Sequence, residues 1–243
     1  MSDRIRRLVD EVDEQHREGM RTIEDDLAAL HFGHDDPARA ASRRRFVRNL
    51  GMGGAVAIGA AVVPVSGLVG IAAAQTTATT VVLPSSDLQT VVFAQGIELA
   101  AVAAYALAVD TVKLTSLAAE TFRLFGRHHN EHATALGALA GKSKVTTPNA
   151  ALVASLTPQI QALTGQEAAI KFMGTVEQGA AATYLTALGT LESFEAAAGA
   201  STILPIESQH ATVLGVLSGQ PVSDSVPPFQ TTAGAFAPSQ YPA

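Results

Sequence analysis

The sequence predicts an all-α fold, an antiparallel four-helix bundle behind an N-terminal signal or anchor segment. Three observations predict it. From Ser85 to Gly219 apolar residues recur at spacings of three and four, Ala and Leu abound, and β-branched alternation is scarce. Gly and Pro break that pattern into four long helical stretches with short links, the mark of a bundle. Ahead of it, Leu50 to Ala74 is apolar and uncharged and follows a basic heptapeptide.

The first stretch, residues 1–41, places Ile5, Val9, Val12, Met20, Ile23, Leu27 and Leu30 at roughly helical spacing among many charges. It is expected to be a cytosolic extension, either a weak amphipathic helix or a solvated segment, and no chemistry is assigned to it. Residues 42–74 form the signal. Ser42-Arg43-Arg44-Arg45-Phe46-Val47-Arg48 resembles the twin-arginine export consensus, with Ser42, Arg43, Arg44 and Phe46 as its marking residues. Ala72-Ala73-Ala74 offers small residues to a signal peptidase, so cleavage before Gln75 is expected; an uncleaved anchor is the alternative, because the run is long enough to span a bilayer. The Arg cluster could also bind nucleic acid or lipid, but the apolar run directly after it points to export. Gly51-Met52-Gly53-Gly54 is not a nucleotide-binding loop, since no strand precedes it.

Within the bundle, residues 85–219, the first helix is expected from Ser86, an N-cap with Asp87 in the first turn, to Val112. The second runs from Ser116 to just before Gly141. A linker with Pro148 leads to Thr157-Pro158, which has the form of a cap and first helical position for a short helix ending at Gly165. The third long helix is expected from Gln166 to Ala198 and the fourth from Ser201 to Ser218, with Pro205 near its start. Residues 220–243 are rich in Pro, Ser and Thr, a tail that lies over the bundle or hangs free.

After Ala74 the chain carries 6 Lys and Arg against 11 Asp and Glu, a net charge of −5 with no basic stripe, so nucleic acid is not an expected partner. Cysteine is absent, which removes disulfides, thiolate metal sites and a thiol nucleophile. A metal could be held only by carboxylate and imidazole.

Those ligands occur in pattern. Glu98 and Tyr105 are separated by six residues in the first helix, and Glu177 and Tyr184 by six in the third, so each pair shares one helix face. The repetition points to a duplicated helix pair. In the second helix His129-x-x-His132-x-x-x-Leu136 matches Glu207-x-x-His210-x-x-x-Leu214 in the fourth, and residues three apart can grip one ion. Dimetal bundles take one Glu from each of two helices and a Glu-x-x-His pair from each of the others. Five of those six ligand types are present, with His129 in place of a carboxylate. Tyr105 and Tyr184 are expected to bond the site's carboxylates. His128 and Glu131 are expected on the helix's other flank, solvated or supporting the ligands, with Glu131 able to replace the missing carboxylate if the helix rotates.

On these residues the chain resembles the ferritin-like family, in particular exported members behind a twin-arginine signal. Phe93-Ala-Gln-Gly-Ile-Glu98 through Tyr105, Val176-Glu177 through Tyr184-Leu185, and Ile206-Glu207-Ser-Gln-His210-Ala211 are similar to the family's first, third and fourth helices. The resemblance implies iron or a similar divalent ion, one or two per chain, on Glu98, His132, Glu177, Glu207 and His210. It also implies use in ferrous iron oxidation or peroxide or oxygen handling, and a homodimer by analogy. Whether the chain is an enzyme is left open; a di-iron-type oxidoreductase is one possibility. His129 departs from the pattern, since a neutral imidazole cannot bridge two metals as a carboxylate does. The alternative is a metal-free structural or stress-related envelope bundle. The export machinery is the expected partner and the extracytoplasmic side, periplasm or envelope, the expected location.

Overall fold

The computed structural model describes residues 2–29, 82–226 and 230–242. The signal over 42–74, the cleavage point before Gln75 and the Gly51–Gly54 run lie outside the described residues. Seven helices are described: α1 (Ser2–Ala29), α2 (Ser85–Thr111), α3 (Ser116–Ala140), α4 (Ala150–Gln161), α5 (Gln166–Leu188), α6 (Phe194–Leu217) and α7 (Val222–Ser225), with no strand among the described residues. The chain between α2 and α3, and that between α5 and α6, is too short for anything but an antiparallel return. The two hairpins then face each other, α2 against α5 and α3 against α6. By length and composition α2 could cross a membrane, but it is the inner helix of this packing and two-thirds of its most apolar window is buried.

Several boundaries differ from expectation. Pro84, not Ser86, precedes α2, and Asp87 caps a different helix: its carboxylate accepts from the backbone N–H of Glu192 and, at 2.6 Å, of Ser193. With Ser193 Oγ accepting from Ala196 N, this starts α6 at Phe194, so the third long helix ends at Leu188 rather than Ala198. Pro205 therefore lies inside α6, where its missing N–H leaves the Ser201 carbonyl without its helical donor. The short helix starts earlier too. Asn149, whose Oδ1 accepts from Leu152 N at 2.9 Å, caps it at Ala150, and Pro158 falls within it.

The tail lies over the bundle. Phe236 N donates to Thr183 Oγ1 at 2.7 Å, and Asn149 Nδ2 donates to the Tyr241 carbonyl at 3.0 Å. Gly179 permits this, because a Cβ there would stand 2.8 Å from Phe236 Cζ and 3.2 Å from the Gly234 carbonyl. Gly179→Ala should gain about 1 kcal/mol of helix propensity yet displace the tail. Limited proteolysis should show residues 230–242 cut several times faster while the melting temperature stays within a few degrees.

Between an amphipathic helix and a solvated extension, the N-terminal stretch is the helix. Ile5, Val9 and Val12 join the bundle's apolar core, and Ile23 is buried as well. Burial of this kind contributes about 1.5–3 kcal/mol per aliphatic side chain. Polar contacts fix the register: Arg6 pairs with Glu120 of α3 at 3.3 Å, and Gln209 of α6 donates to Gln15.

Candidate metal centre

The four long helices of the bundle bring one or two polar side chains each inward at one level. Glu98 on α2, His129 and His132 on α3, Glu177 on α5, and Glu207 and His210 on α6 are all buried, at 0–1 % exposure. Burying three carboxylates costs far more than three apolar residues would, so partners must offset it. The ligand atoms fall into two groups, each within 4.8 Å: Glu98, His129, His132 and Glu207, then His129, Glu177, Glu207 and His210. Glu207 and His129 are common to both.

The tyrosines cross over. Tyr105 of α2 donates to Glu177 Oε1 of α5, and Tyr184 of α5 donates to Glu98 Oε1 of α2. Each hydroxyl thus holds one oxygen of the opposite carboxylate and leaves the other facing the centre. His129 lies between the same two carboxylates, Nδ1 at 2.6 Å from Glu98 Oε2 and Nε2 at 3.1 Å from Glu177 Oε1.

Other contacts are close without being hydrogen bonds. His132 Nδ1 is 2.8 Å from Glu207 Oε1 and 3.6 Å from Glu98 Oε2; His210 Nδ1 is 3.4 Å from Glu177 Oε2 and 3.5 Å from Glu207 Oε2. Yet His132 Nδ1, His210 Nδ1, Glu177 Oε2 and both Glu207 oxygens have no aligned hydrogen-bond partner. Two ligands on one ion at bonds of about 2.1 Å lie about 3.0 Å apart in octahedral and 3.4 Å in tetrahedral geometry. The donor set, imidazole nitrogen and carboxylate oxygen, suits iron, zinc or manganese. These residues fit a metal.

The centre is strongly polarised. Burial, the largest single influence, would pull His132 down, but Glu98 and Glu207 together hold it up at about 9. Burial likewise opposes charging of His129 and His210, and Glu207, Glu177 and Glu98 around the first, with Glu177 and Glu207 beside the second, raise both. Burial would raise Glu98, but His129 and His132 hold it down at about 2. In the metal-free chain His129, His132 and His210 are thus each more basic than in the unfolded chain, where a histidine titrates near 6.5. Protonation then favours the fold. That stabilisation is complete below pH 6.5 and is lost as pH rises through about 9 for His132. The melting temperature of metal-free protein should fall steadily from pH 6.5 to above 9, whereas bound metal, which replaces those protons, should flatten the profile.

A family model of the ferritin-like domain matches residues 86–220, more than half of the chain. The chain belongs to the ferritin-like family. No curated protein and no solved structure matched it. The match begins at α2 and ends beyond α6, so the ferritin-like domain contains all six inward-facing residues, while α1 stands outside it.

Two residues of α1 nevertheless reach the ferritin-like centre. His16 is buried and stacks on His128 at 3.7 Å between ring centroids, with His132 at 5.0 Å. Asp13 Oδ1 accepts from His128 Nε2 at 3.0 Å, and His128 Nδ1 is 3.0 Å from His210 Nε2. His128 is therefore buried against the candidate ligands His132 and His210, not solvated. Glu131 does not replace the missing carboxylate: its side chain is half exposed and, among the described residues, pairs with His16 at 3.6 Å. The signal for His16 lies in the spacing, since it continues the stripe Ile5, Val9, Val12 toward Ile23.

Proposed function

We propose that this chain is an exported ferritin-like metal protein holding one or two redox-active divalent ions, iron foremost, to oxidise ferrous iron or to remove peroxide or oxygen. One observation carries the metal: buried nitrogens and oxygens from three helices, α3, α5 and α6, stand at co-ligand spacing without hydrogen-bond alignment. Glu98, His132 and Glu207 would hold one ion, Glu177, Glu207 and His210 the other, with His129 between them. Bound there, the metal supplies one-electron chemistry and Lewis acidity in a dry site. The chain's own part is orientation and exclusion of water. Tyr105 and Tyr184 fix the carboxylate rotamers, and Phe125, stacked on His210 at 4.0 Å between centroids, closes the centre on one side. Export is supported by the twin-arginine heptapeptide and by a centre that exists only once four helices are assembled, which suits a route for folded cargo. Metal analysis of protein purified from the envelope tests the proposal: iron or manganese near stoichiometric amounts is expected, and their absence after metal-replete growth would overturn it.

His129 favours a second possibility, a metal-free envelope bundle. Protonated on both nitrogens, it donates to Glu98 and Glu177 and supplies a cation where the family has a carboxylate. On that basis added iron would leave the melting temperatures of Glu177→Ala, His210→Ala and the wild type equally unmoved. Under the metal proposal it raises the wild type by about 2.7 kcal/mol of stability per site at a free concentration 100 times the dissociation constant, and raises each variant less, through the half that remains.

A further inference from the structure

The ferritin-like domain is not the whole of the centre, because α1 supplies a carboxylate that reaches a ligand through an intermediate histidine. The hydrogen-bond directions along this path are fixed by chemistry. A carboxylate only accepts, so the Asp13 Oδ1 contact requires the proton of neutral His128 to sit on Nε2. His128 Nδ1 is then an acceptor, and the 3.0 Å contact requires His210 to donate from Nε2. A neutral His210 donating from Nε2 has its lone pair on Nδ1, the nitrogen that faces Glu177 and Glu207. Asp13 is itself held in place: Arg17, one turn further along α1, donates to its other oxygen at 2.8 Å. His16 stacks over the face of His128 at an interplanar angle of 8°, which fixes the ring plane that both bonds need.

Resting on the metal reading above, we propose that Asp13 and His16 of α1 are positioning residues for metal loading, acting through His128 to hold His210 as the tautomer that presents Nδ1 to the ion. Outer partners that orient a ligating histidine typically contribute 10–100-fold in metal affinity. The distinctive feature is where this one resides. Residues 1–41 lie ahead of the proposed signal, and export parts such a segment from the domain behind the signal, by cleavage or by the membrane. On the export reading proposed above, Asp13 and His128 meet before transport, so α1 acts when the ion is taken up.

The test uses the full chain and Zn2+, a diamagnetic ion that takes the same ligands. Chelator competition should show Asp13→Ala binding Zn2+ about 10–100-fold more weakly than the wild type. Asp13→Asn, whose Oδ1 still accepts, should stay within about threefold. Glu14→Ala, on the exposed side of the same helix and paired with Arg17, should bind as the wild type does. Long-range 1H–15N spectra of the Zn2+-loaded protein should show His128 protonated on Nε2, and averaging of its two nitrogens in Asp13→Ala, a signature that loss of packing alone would not give. Equal Zn2+ affinity for Asp13→Ala and wild type, or a wild-type His128 protonated on Nδ1, overturns the inference and leaves the metal reading standing. A wild-type chain that takes up no Zn2+ overturns both.

Discussion

Glu207→Ala is expected to abolish metal binding in both halves of the centre, with Zn2+ or Fe2+ affinity lower by at least about 100-fold, the upper end of what outer partners alone contribute. Its two oxygens are divided between the halves: Oε1 is 2.8 Å from His132 Nδ1, and Oε2 is 3.5 Å from His210 Nδ1. Glu98 and Glu177 each serve one half, and each has one oxygen engaged by a tyrosine. Glu98→Ala and Glu177→Ala should therefore each spare the half they do not line, with binding weakened but not lost. Titration of the three variants against a competing chelator separates the cases. Glu207→Ala binding as tightly as Glu98→Ala would show that the halves do not share this carboxylate and that the ion sits elsewhere.

Most of the ligand set is legible because it is written in helical spacing. Glu98, Glu177, His129, His132, Glu207 and His210 each declare a face within one element, and four such faces in a bundle must meet. Features that depend on packing between elements are not legible. The sequence shows Tyr105 seven residues beyond Glu98, but its hydroxyl goes to Glu177, because the side chains interleave across the α2–α5 contact. The start of α6 escapes a reading of the sequence for a related reason: Pro205 is a strong local signal, whereas Ser193 becomes a helix start only with Asp87 of α2 holding the backbone beside it. His16 and Asp13 are the instructive omissions. A stripe of Ile5, Val9 and Val12 continued by a histidine marks an imidazole that will be buried wherever the helix docks. Nothing in residues 1–41 says that it docks on His128, since that surface is assembled from α3 and α6.

His129→Glu is expected to bind two divalent ions per chain, more tightly than the wild type does, and, without metal, to be much less stable. In the wild type the His129 ring is held protonated by Glu207, Glu177 and Glu98 against the opposing pull of burial, so it is the cation nearest all three carboxylates. Glutamate would remove that cation and place a fourth carboxylate in a site with 0 % exposure. Leaving buried charge uncompensated costs about 3–5 kcal/mol. For a chain of this size that corresponds to roughly 6–20 °C in melting temperature. His132 and His210 remain, but each already faces two carboxylates and cannot also neutralise the new one. Metal should reverse the loss, because the restored Glu-x-x-His pair completes the dimetal ligand set. Two sites filled at 100 times their dissociation constants contribute about 5 kcal/mol, enough to bring the variant back to or above the metal-free wild type. Thermal melts with and without Fe2+ or Zn2+, together with metal content per chain, decide the matter. Unchanged metal affinity and stoichiometry, or a metal-free variant melting with the wild type, would mean that His129 is neither the cation of the empty centre nor the residue that limits how firmly it holds its ions.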